Sequence, residues 1–127
     1  YAIKSLPMAT HNALGKAAET MAVRLLKEKD YTLLERNYRH GKAEVDIIAL
    51  KEEVLVVVEV KARTSDYFGA PESFVTPKKI KLLVQAVDAY LQERDWDIEV
   101  RFDIIAFKKT GQKWVHEHIE NAFYPFG

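Results

Sequence analysis

Apolar positions recur along the chain with two periods, and each change of period marks a new element. From Asn12 to about Lys29, Leu14, Ala18, Met21 and Leu25 fall on one stripe at helical spacing, and Ala22, Val23 and Leu26 widen it. Asn12 is a good cap residue, so a helix is predicted over 12–29. Residues 31–38 read as a strand, 39–42 as a polar turn, and 44–50 as a second strand. After a short turn at 51–53 comes V-L-V-V-V-E-V-K (54–61), in which six of the eight residues are branched aliphatics. Such a run is predicted to be a strand buried on both faces. Residues 62–76, rich in Ser, Thr, Gly and Pro, read as a loop. Thr76-Pro77 then supplies a cap and a first-position proline for a helix to about Arg94, with Ile80, Leu83, Val84, Val87 and Leu91 facing inward. A strand follows at 98–107, a turn at 108–112, and an alternating outer or edge strand at 113–119. The order α-β-β-β-α-β-β predicts a layered α/β unit.

Composition narrows this picture. A chain of 127 residues with no internal repeat or linker suits a single domain over 1–127. Residues 1–11 are expected to be a flexible leader, with Met8 as a candidate natural start. No stretch of apolar residues is long enough to cross a membrane, and the start lacks the apolar core of a signal peptide. A cytoplasmic location without membrane attachment is therefore expected. With 0 cysteines, disulfides and thiolate metal sites are excluded. The 19 basic and 19 acidic residues balance, which argues against holding nucleic acid by bulk charge but leaves room for a local basic face.

The chemistry concentrates where charge interrupts the apolar run. A two-residue loop at Glu52-Glu53 pairs Lys51 with Val54, Leu50 with Leu55 and Ile48 with Val57, and places Asp46 opposite Glu59. Lys61, two residues on, points to the same face as Glu59. Like charges directly opposite are destabilising, so something must compensate. A hard divalent cation such as Mg²⁺ or Mn²⁺ suits two carboxylates. Lys61 beside it could serve an attacking water or a phosphate. A three-membered salt-bridge cluster fits the same residues, and the pattern alone does not choose between them. Glu19, on a face with Gly15, Ala22, Val23 and Leu26, is either a third carboxylate of the site or a helix-surface glutamate paired with a base.

E-V-D (44–46), a hairpin and E-V-K (59–61), preceded by G-K-A-A-E (15–19), resemble the PD-(D/E)XK signature of restriction-endonuclease-like nucleases. More closely, the chain resembles the bacterial YraN-like family, predicted endonucleases related to Holliday-junction resolvases. L-L-E-R-N-Y-R (33–39), G-K-A-E-V-D-I-I-A (41–49), V-V-V-E-V-K-A-R (56–63), F-G-A-P (68–71), V-T-P-K-K (75–79), A-Y-L (89–91) and R-F-D-I-I-A (101–106) carry that resemblance. It implies a restriction-endonuclease-like core, a central mixed β-sheet flanked by helices. It implies that Asp46, Glu59 and the Val60 carbonyl hold Mg²⁺ or Mn²⁺, that Lys61 is the catalytic lysine, and that Glu19 is the helical acid. Val45 stands where the signature has proline, and Gln85 lacks the spacing of the glutamine used by one subgroup.

DNA is the expected partner, and a homodimer is expected if two strands are cut together. Arg36, Arg39, His40 and Lys42 precede the Asp46 strand, Arg63 and Thr64 follow Lys61, and Lys78, Lys79 and Lys81 begin the second helix. Cations in a first helical turn oppose the helix dipole, and a phosphate there would account for them. Tyr67, Phe68 and Gly69 are placed to shape a substrate groove. Arg101 and Asp103 are expected to pair internally, His116 and His118 to lie on an exposed strand face, and Trp96 and Trp114 to pack.

Overall fold

The computed structural model describes the backbone of residues 2–64 and 75–123, with side chains from Ala13 onward. Its elements are α1 (Ala2–Glu28), β1 (Thr32–His40), β2 (Ala43–Lys51), β3 (Val54–Thr64), α2 (Pro77–Arg94), β4 (Glu99–Thr110) and β5 (Lys113–Ile119). They form a five-stranded sheet in the order β1-β2-β3-β4-β5, antiparallel except for the parallel pair β3–β4. The element order is the α-β-β-β-α-β-β that the pattern predicts, and the mixed sheet flanked by helices is the one the resemblance implied. Several boundaries differ: β1 runs to His40 and β4 to Thr110, past the turns predicted to begin at 39 and 108, because their antiparallel pairing continues to the two-residue loops. The helix begins at Ala2 and runs through Asn12, so Asn12 is no cap. The third strand continues to Thr64, beyond the predicted loop start at residue 62, because its parallel pairing with β4 persists to Thr64↔Lys109. Tyr67, Phe68 and Gly69 lie outside the described residues.

The apolar runs explain the layers. Val54 to Val58 is buried on both faces because each face meets a different helix. Leu55 and Val57 pack with Leu83, Ala86, Val87 and Tyr90 of α2, whereas Val56 and Val58 pack with Ala18, Ala22, Val23 and Leu26 of α1. The inward face of α2 therefore includes Ala86 and Tyr90, with Ile80, Val84 and Leu91 at its margin. Thr76 caps α2 by accepting from the Lys79 backbone N–H at 3.2 Å, with Pro77 behind it. The β2–β3 loop has the predicted register, Lys51↔Val54, Leu50↔Leu55 and Ile48↔Val57. Both loop residues, Glu52 (φ 48) and Glu53 (φ 67), are left-handed, as a type I′ hairpin requires. The twist of the sheet dictates that turn, and two glutamates adopt it without the usual Asn-Gly.

The expected Arg101–Asp103 pair is present and larger than a pair. Asp103 is 0% exposed. It accepts from Arg101 Nε and Nη2, each at 2.9 Å, and from the Asn121 backbone at 3.1 Å. His118 Nε2 lies 2.8 Å away, with its side chain only 4% exposed, so His118 is an internal residue and not part of an exposed face. Its neighbour His116 is exposed. Trp114 packs edge-on against Phe107 as expected. Trp96 meets the Tyr90 ring but remains 38% exposed.

Candidate active site

The site forms where β2 leaves its pleat. Val45 and Ile48 both pack on the α2 side while Ile47 and Ala49 pack on the α1 side, so the alternation slips around Asp46. Asn37, between the β1–β2 pairs Arg36↔Ile47 and Tyr38↔Val45, has a left-handed φ of 53. The β2–β3 ladder stops at Ile47↔Val58, one step short of the Asp46–Glu59 pair. In place of that step the Val60 backbone N–H donates to Asp46 Oδ2 at 2.8 Å. The expected Asp46–Glu59 ladder pair is thus not formed: Asp46 caps the neighbouring strand at Val60 and still feels the Glu59 charge.

Glu59 is 1% exposed. Among the described residues its Oε1 has no hydrogen-bond partner, and its Oε2 faces ammonium groups. Its company is cationic: Lys79 Nζ lies 2.7 Å from Oε2 and Lys61 Nζ lies 4.0 Å from it. Burial first, and the Glu59 charge second, push Asp46 up to about 7, against the pull of the Val60 hydrogen bond and Lys79. Lys61 is held below its ordinary value by burial and by the charge of Lys79, which together outweigh the two carboxylates. Lys79 is displaced upward: burial opposes its charge, but the Glu59 contact and the nearby carboxylates prevail. A carboxylate pushed up and a lysine pulled down, side by side, are a common mark of acid–base sites.

Glu19 sits near this centre without joining it. Its charge reaches Asp46 as the weakest of the influences there, while Oε1 lies 4.0 Å from Arg36 Nη2. Among the described residues no three His, Cys, Asp or Glu side chains gather closely enough to hold a metal ion. The donors at hand are the two carboxylates and the adjoining backbone. That set fits Mg²⁺ or Mn²⁺, which commonly take one or two carboxylates and complete their shell with water and substrate phosphate. The deeply buried Glu59 is the specific fit: its Oε2 already draws the Lys79 ammonium to 2.7 Å, so the position favours a cation.

A groove of about 280 Å³ is lined by Lys42, Ala43, Glu44, Thr76, Lys78, Lys79, Leu82 and Leu83, and it joins the site through Lys79. Of the predicted basic residues, Lys42, Lys78 and Lys79 line this groove. Lys81 and His40 are exposed nearby in sequence, and Arg39 is held 2.8 Å from Glu44. Arg63 donates to its neighbour Ala62 at 2.8 Å.

Comparison with known proteins places this site in a family. The profile described as Uncharacterised protein family UPF0102 matches residues 18–107. The chain belongs to family UPF0102. A UPF0102 protein of Flavobacterium psychrophilum is 53% identical over 119 residues, which are 94% of this chain and 100% of that protein. One from Bacteroides thetaiotaomicron is 48% identical over 118 residues, 93% of this chain and 98% of that protein.

Of the residues read from the UPF0102 sequence, the structure brings together Asp46, Glu59, Lys61 and Lys79, leaves Glu19 with Arg36, and leaves Gln85 exposed. Lys79 was expected at a phosphate, and its contact with Glu59 was not foreseen. The available signal was its placement in the first turn after the Thr76 cap, which aims a long side chain toward the strand end. Asn37 was also missed. Its signal was an asparagine inside a strand pattern, the residue type that best tolerates a left-handed backbone after glycine.

Proposed function

We propose that this UPF0102 chain is a metal-dependent endonuclease on a restriction-endonuclease-like fold, hydrolysing phosphodiester bonds in DNA, branched or damaged DNA included. The observation that carries this reading is Glu59, 1% exposed beside Asp46, with the Lys79 ammonium 2.7 Å and the Lys61 ammonium 4.0 Å from its Oε2. Buried charges retained at such cost are more often functional than stabilising. Asp46, Glu59 and the Val60 carbonyl would hold Mg²⁺ or Mn²⁺, with Glu19 as an outer partner. The ion supplies Lewis acidity at a phosphoryl oxygen and a more acidic bound water. Lys61 Nζ, whose proton is loosened by burial, can exchange a proton with that water or steady charge on the phosphate. Lys42, Lys78 and Lys79 line the groove through which the phosphate backbone would run. Two copies in a homodimer would let both strands of a duplex be cut in one encounter.

A cleavage assay over linear, nicked, flapped and four-way DNA tests the proposal, with Mg²⁺, Mn²⁺ or chelator. Metal-dependent cleavage that Lys61→Ala abolishes is expected. Equal cleavage by Lys61→Ala, or none by the pure protein, would sink it. A second reading, a non-catalytic nucleic-acid-binding protein on the same fold, is favoured by the cations already seated on the acids, Lys79 on Glu59 and Arg36 near Glu19. It predicts salt-dependent DNA binding without metal uptake. Calorimetric metal titration of wild type and Asp46→Asn separates the two.

A further inference from the structure

Asp46, Glu59, Lys61 and Lys79 carry two potential negative and two potential positive charges. A divalent ion added to that quartet leaves it overcharged unless an ammonium departs. The two lysines are not equally free to leave. Lys61 rides on the same strand as Glu59, and its side chain is 17% exposed. Lys79 comes from α2, its side chain is 38% exposed, and it also lines the groove with Lys42 and Lys78. Its ammonium, 2.7 Å from Glu59 Oε2, stands where an ion bound to that oxygen would crowd it. At metal–oxygen distances of about 2.1 Å the two cations cannot share the position.

We propose that Lys79 is an exchangeable counter-ion of Glu59: it yields Oε2 to an entering divalent cation and turns into the groove to meet a substrate phosphate. This rests on the metal-dependent reading above and adds to it a competition between one lysine and the metal. The same side chain then serves as a positioning residue in two places. The exchange makes metal and phosphate binding mutually favourable, since each removes the ammonium's hold on the other's site.

Titration of the full chain with Mn²⁺ alone, followed by calorimetry, tests the exchange. Lys79→Met keeps the length of the side chain and removes its charge, and Lys79→Gln guards against a folding failure of the first variant. Both should bind Mn²⁺ more tightly than wild type, on the order of tenfold. Lys113→Met, which removes the same charge from an exposed position on β5, should stay within about twofold of wild type at ordinary salt. Mn²⁺ should also raise the Tm of the Lys79 variants more than that of wild type, because tighter binding adds more stability. Unchanged or weaker Mn²⁺ affinity in both Lys79 variants overturns the exchange while leaving the metal site standing. An equal gain in Lys113→Met also overturns it, since bulk charge would then be the cause. Absence of Mn²⁺ binding by wild type and every variant overturns the metal-dependent reading itself, and this inference with it.

Discussion

At the scale of single residues, the chain spends stability at one buried acid cluster and recovers it at another. Asp46 beside Glu59 is the costly one. A carboxyl whose folded pKa stands above its unfolded value stabilises the protein below the unfolded value, and that contribution is lost as pH rises through the folded one. For Asp46 the loss falls between the ordinary carboxylate range and about 7. Without added metal, wild type should therefore lose stability across that window relative to Asp46→Asn in denaturant titrations at stepped pH. Asparagine keeps an acceptor for the Val60 N–H, so Asp46→Asn should match or exceed wild type at pH 8, by up to about 1 kcal/mol, while losing Mn²⁺ binding. Asp103 behaves in the opposite sense. Burial works to raise it, but His118, Arg101 and the Asn121 N–H together hold it below its ordinary value. Its contribution is present above the unfolded carboxylate value and lost as pH falls through the lower folded one. Replacing it with alanine strands the Arg101 charge and should cost about 3 kcal/mol in equilibrium unfolding, with no direct effect on Mn²⁺ affinity.

At the scale of elements, the β2–β3 hairpin sets the site, and its turn is made from unsuitable residues. Glu52 and Glu53 both hold a left-handed backbone. Glu52→Asn with Glu53→Gly should raise stability by about 1 kcal/mol, read as a shift of the denaturation midpoint at constant slope. The register was nonetheless legible from sequence, because a two-residue loop at Glu52-Glu53 is enough to pair Lys51 with Val54, Leu50 with Leu55 and Ile48 with Val57. The start of α1 was not legible. Asn12 is a start signal by type, and such local preferences are weak priors that tertiary context overrides. The α2 cap was read correctly and has a consequence at the site. Thr76→Ala should cost about 1 kcal/mol, and, by loosening the turn that carries Lys79, should alter Mn²⁺ affinity in the same direction as Lys79→Met. A fall in Tm with unchanged Mn²⁺ affinity would show the cap to be purely structural.

At the scale of the whole molecule, the site is a meeting of parts with very different sequence separations. Asp46, Glu59 and Lys61 were found from sequence because one hairpin holds all three, so counting back from a two-residue loop was enough. Lys79 and Asn37 were not, because one depends on where α2 docks and the other on a backbone departure that no periodicity encodes. The sheet has the same division. Its antiparallel neighbours are joined by two-residue loops at Gly41-Lys42, Glu52-Glu53 and Gly111-Gln112. Its single parallel seam joins strands that only the long crossover through α2 connects. Loop closure entropy makes that seam the slow contact to form. The β1–β2–β3 meander and the β4–β5 hairpin can assemble locally, and their docking should carry the folding barrier. Substitutions along the seam, such as Val57→Ala or Ile104→Val, should slow refolding in stopped-flow chevrons, whereas Val115→Ala on β5 should act chiefly on stability through unfolding. The carboxylate pair would then exist as a strained hairpin before its lysine arrives, and the nascent chain would expose two adjacent acids until the crossover closes.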